Sequence, residues 1–71
     1  MWYLVLLEVS QDRLTLPGYP DGFMVFFRGY YIVIAKPDAE GNLINCKPQS
    51  NRFVGEADAL AAFQATQANG I

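Results

Sequence analysis

The run Phe23–Ala35, FMVFFRGYYIVIA, constrains this chain more than any other stretch. Arg28 and Gly29 are its only non-apolar residues. Phe, Val, Ile and Tyr suit a pleated, half-buried surface, so the run reads as sheet. It is either one long strand bent at Gly29 or two strands meeting there. In a single strand, parity puts Phe23, Val25, Phe27, Tyr31, Val33 and Ala35 on one face. Met24, Phe26, Arg28, Tyr30, Ile32 and Ile34 take the other, and a bulge at Gly29 would re-phase the second half. In either register both faces are apolar.

The flanking segments add strands. Trp2–Val9 is apolar except for Glu8, as expected of a strand buried on both faces. Ser10-Gln11-Asp12 reads as a turn, after which Arg13–Leu16 alternates and returns beside the first strand. Pro17–Gly22 is a loop, since its two prolines donate nothing and its two glycines allow positive φ. Tyr19 is either held out on that loop or folded back over the core edge. Lys36–Asn42 is a turn that makes Tyr30–Lys36 and Leu43–Lys47 a hairpin. Pro48–Asn51 is a second loop, and Arg52-Phe53-Val54 is a short edge strand. Gly55 opens a helix over Glu56–Gln67, with Glu56 and Asp58 at its positive dipole end and Asn69-Gly70 as its stop. Leu60 and Phe63 are its only large apolar residues. The expected fold is α+β: one domain over residues 1–71, with a mostly antiparallel sheet of four or five strands and one C-terminal helix.

Composition narrows the chemistry. The chain has no histidine, which excludes histidine as base, nucleophile partner or metal ligand. One cysteine, Cys46, allows no intrachain disulfide. Lys47 beside it would favour a reactive thiolate, but strand neighbours point to opposite faces and cysteine packs as a small hydrophobe. Asp38 with Glu40 and Glu56 with Asp58 are carboxylate pairs, better read as a solvated turn and a helix start than as acid and base. No phosphate-binding glycine motif is present. No cofactor, metal site or catalytic residue is expected.

Net charge is −2, and the five basic residues Arg13, Arg28, Lys36, Lys47 and Arg52 are dispersed, which disfavours nucleic acid. Phe26, Phe27, Tyr30 and Tyr31 could stack unpaired bases, but single-strand binders pair such rings with a basic groove. MWYLVLLEV lacks a basic n-region and a cleavage site, and its apolar run is too short to span a bilayer. The expectation is a soluble, cytoplasmic protein in a reducing setting.

A surface problem remains. Trp2–Leu7 and Phe23–Ala35 are apolar on both faces, and a helix with two large apolar residues cannot cover two sheet faces. Three solutions exist, a small barrel closed on itself, a homodimer, or a partner protein, and the expectation is a homodimer, a partner or both, with the barrel as the alternative. Candidate contacts are Tyr19, Asp21, Arg28, Tyr30 and Tyr31, with Asp38 and Glu40 on the hairpin tip.

The outline of several strands followed by Phe53-Val54-Gly55-Glu56-Ala57-Asp58-Ala59-Leu60-Ala61-Ala62-Phe63 resembles small phage- and prophage-encoded proteins, including anti-CRISPR inhibitors. That resemblance implies a non-enzymatic inhibitor that binds a bacterial host or defence complex in the host cytoplasm. It carries over no functional residue. The alternatives are a structural or assembly subunit that self-associates through its apolar face, and a single-stranded nucleic-acid binder.

Overall fold

A computed structural model describes residues 1–69. In chain order it contains β1 (Tyr3–Pro17), β2 (Phe23–Pro37), β3 (Leu43–Pro48) and α1 (Glu56–Asn69). The strands form one antiparallel sheet in the order β1-β2-β3. The class is α+β with a C-terminal helix, as expected; the strand number is three, not four or five.

Two segments account for the difference. Ser10-Gln11-Asp12 does not reverse the chain but lies inside β1. Val9 pairs with Gly29 and Arg13 with Phe27, so three residues of β1 bulge against Arg28 alone. Arg28 stabilises the bulge, donating from Nη1 to the Ser10 carbonyl at 2.6 Å and from Nη2 to Asp12 Oδ1 at 3.0 Å. Arg13–Leu16 therefore continues outward and pairs with Met24–Phe27. The second segment, Arg52-Phe53-Val54, makes a single bridge, in which Phe53 and Tyr30 exchange backbone hydrogen bonds of 2.8 and 2.9 Å.

β2 is one strand that passes through Gly29. Its core-facing side chains are Met24 and Phe26 before the glycine and Tyr31 and Val33 after it, so the parity switches there. Gly29 has φ of 142°, and a Cβ on it would stand 2.8 Å from the Phe53 carbonyl oxygen. No side chain fits. The bulge in β1 makes the matching switch, from Val5, Leu7 and Val9 to Leu14 and Leu16, and all of these pack on the same core.

The doubly bent hairpin folds over that core. Phe26 and Tyr31, from opposite sides of the bend, meet edge to face with centroids 4.9 Å apart. Just past the end of β1, Gly18 bridges in parallel to Cys46 of β3. The chain thus closes partly on itself, in the direction of the barrel alternative rather than of the expected dimer or partner.

β3 forms the expected hairpin with β2, with an extra residue between the pairs Lys36–Ile44 and Ile34–Lys47. Asn45 there has φ of 55°, a conformation asparagine tolerates better than most residues. Beyond Pro48 the chain keeps following the edge of β2. Gln49 donates to the Ile32 carbonyl at 2.7 Å, and the Ile32 amide donates to Ser50 Oγ at 3.0 Å. α1 contacts β2 and β1, and its Ala59 is fully buried; Ile32, on the opposite side of β2 from Tyr31 and Val33, is buried too. Leu60 is exposed, while Phe63, the largest apolar residue of the helix, is half-buried. The stop expected at Asn69-Gly70 lies partly outside the described residues, because Gly70 is not among them.

Candidate interaction surface

The two bends divide the hairpin into a proximal half, Tyr3–Val9 with Gly29–Ala35, and a distal half, Arg13–Pro17 with Phe23–Phe27. In the distal half Met24 and Phe26 face the core, so alternation turns Phe23, Val25 and Phe27 outward. No element covers them: they are 77%, 50% and 57% exposed. Arg13, Thr15 and Pro17 stand opposite them on β1. The result is a stripe of two phenylalanines and a valine in water; the Arg28–Asp12 ion pair, next along the chain, is itself exposed.

The same segment has an open edge. The Phe27 amide donates to Tyr31 Oη at 3.0 Å, and the Tyr31 hydroxyl donates back to the Phe27 carbonyl at 3.0 Å. Both groups therefore point away from β1. Val25, two residues earlier, presents its amide and carbonyl on that same edge. Among the described residues, β1 is the only strand paired with Phe23–Phe27. Tyr31 thus caps one end of an edge that is otherwise free to accept a strand.

The residues singled out from sequence are scattered. Tyr31 is 8% exposed and lies in the core, so it is not a contact; parity separates it from Tyr30. Tyr30 is half-buried on the other face, and its acidity is weakened by partial desolvation and by the nearby charges of Glu8 and Glu56. Arg28 holds the bulge. Tyr19 and the exposed Asp21 lie in the β1–β2 connection. Asp38 and Glu40 lie in the β2–β3 turn, where Asp38 Oδ1 accepts from the amides of Asn42 and Glu40 at 2.9 Å each. These amides hold the Asp38 carboxyl below its usual range, the Asn42 bond foremost. Asp38 is thereby a turn-stabilising residue.

Sequence reasoning passed over Phe23, Val25 and Phe27, although alternation about Met24 and Phe26 carried the signal. It also passed over a cluster with no local signal, formed by Trp2, Tyr19, Lys36 and Lys47. The Trp2 and Tyr19 rings meet edge to face at 5.3 Å; Lys36 Nζ lies 5.1 Å from the Trp2 centroid and Lys47 Nζ 5.7 Å from that of Tyr19.

Cys46 is buried, and desolvation pushes its thiol up, away from reactivity. Among the described residues there is no group of three metal-ligating side chains, no pocket, and no helix long and apolar enough to cross a membrane. No family model, curated protein or solved structure matches the chain.

Proposed function

We propose that this chain is a non-enzymatic protein-binding module that docks through the outer face of its distal hairpin half. The exposed Phe23–Val25–Phe27 stripe carries the reading. Adjacent apolar side chains left in water stabilise nothing in the monomer, and such patches mark interfaces. Aromatic rings with a neighbouring arginine are also the residues on which binding energy concentrates, so Arg28 joins the stripe as a contact. Taken with the outline resemblance, the most concrete form is a phage-type, anti-CRISPR-like inhibitor that blocks a bacterial defence complex by direct binding. Tyr19, Asp21, Tyr30 and Glu40 are then peripheral contacts.

The test is phage plaquing on bacteria that carry an active CRISPR system and express the chain. The expected result is restored plaquing with the wild type, lost with Phe23→Ser/Phe27→Ser. Both substituted positions face water, so the double variant retains its fold by circular dichroism. Undiminished defence in cells holding the folded wild-type chain counts against the inhibitor.

The open edge at Val25 favours a second reading, a self-associating subunit in which this edge pairs with its copy around a two-fold axis. Light scattering over a dilution series separates the two. A mass that stays near 7.9 kDa leaves the stripe free for another protein. A dimer or larger species that dissociates on Val25→Lys assigns the edge to self-association.

A further inference from the structure

A second surface has a different chemistry. The chain contains two lysines, and the fold brings both to one place, over Trp2 and Tyr19. The four residues come from the start of the chain, the β1–β2 connection, the end of β2 and β3. The chain also holds seven acidic residues, yet none neutralises either ammonium: among the described residues the one ion pair is Arg28–Asp12. Glu40 and Asp21, acidic residues of the adjoining turn and loop, stand beyond ion-pair distance, and Asp38 is committed to backbone amides. Each ring attracts the ammonium above it, and neither contact cancels its charge.

We infer that the Trp2–Tyr19–Lys36–Lys47 cluster binds carboxylates of an acidic protein segment. Two neighbouring ammonium groups without ion-pair partners suit oxyanions, and the aromatic rings beside them supply apolar contact for the methylenes of glutamate. A nucleic-acid strand fits less well. Base stacking needs free ring faces, and here each ring already carries a lysine. None of its four residues is Phe23, Val25 or Phe27, so variants of the two surfaces can be tested separately.

Trp2 is the only tryptophan and reports on the site directly. The experiment is titration of the whole chain with a hexaglutamate peptide at low salt, followed by Trp2 fluorescence. The expected result is a saturable change, reversed by high salt and weakened roughly tenfold for each lysine removed in Lys36→Gln and Lys47→Gln. Neither Nζ makes a hydrogen bond or ion pair among the described residues, so the double variant keeps its fold. Lys36→Arg/Lys47→Arg retains the response. Phe23→Ser/Phe27→Ser also retains it, which separates this site from the docking stripe. No fluorescence change, an equal change in the folded double Gln variant, or a stronger response to oligothymidylate than to hexaglutamate would overturn the inference.

Discussion

The two halves of the hairpin are built from the same kinds of residue and end in opposite states. In the proximal half, β2 has neighbours on both edges: β1 on one side, β3 and the Gln49–Phe53 segment on the other. One face lies on the core, Ile32 on the other face is buried, and α1 contacts both strands. The distal half has the core on one face and water on the other, and one edge of β2 stays open. Strand propensity does not distinguish FMVFF from YYIVIA; the supply of covering elements does. A 71-residue chain with one short helix and one short third strand can sandwich only half of its hairpin.

The sharpest way to probe this contrast uses adjacent residues. Phe26 is 2% exposed and Phe27 is 57% exposed. Phe26→Ala should cost about 3–5 kcal/mol, a large part of the roughly 4–10 kcal/mol expected for a domain this size. Phe27→Ala should stay within about 0.5 kcal/mol. Urea denaturation of the pair measures both, and equal losses would erase the distinction between the faces. Gly29→Ala comes next. It attacks the hinge between the halves, forcing a side chain into a conformation it resists and against the Phe53 carbonyl, for about 1–3 kcal/mol. Hydrogen exchange should show the Tyr30 amide losing protection most, since it donates to that carbonyl.

Tyr31→Phe tests where the closed edge ends. It removes the hydroxyl that satisfies both backbone groups of Phe27, and because water can reach this edge the cost is about 1 kcal/mol. The Phe27 amide should then exchange at a rate approaching that of Val25, while Val33 in the doubly paired half stays protected. The smallest effect concerns pH. Burial raises the Cys46 thiol, so the folded state keeps a proton that the unfolded chain releases. The thiol's contribution to stability is complete below the unfolded thiol's ordinary value and declines as pH rises above it. Cys46→Ala should flatten that part of the alkaline decline. Tyr30, raised in the same direction, leaves a further decline at higher pH in the variant.

Much of this fold is legible in the chain's residue pattern. The sheet character of Phe23–Ala35, the hairpin into Leu43–Lys47, the helix from Glu56 and the buried Cys46 all follow from periodicity and residue type, while the choice of one strand or two at Gly29, and its phase, stays open in the sequence. The misreadings share one cause. Ser10-Gln11-Asp12 has turn composition, but whether polar residues reverse a chain or bulge out of it depends on what lies opposite, here Arg28. Tyr30 and Tyr31 look alike in sequence, and a parity set by the bend at Gly29 sends one outward and the other into the core.

The amino-acid sequence by itself determined the class of fold, the absence of histidine chemistry and the excess of apolar surface, because these depend on composition and short-range alternation. Tertiary structure alone decided where that excess is exposed. It also decided that two lysines and two aromatic rings far apart in the chain should meet. Both outcomes depend on which strand edges and faces find a partner, and pairing between distant segments is invisible to any local window.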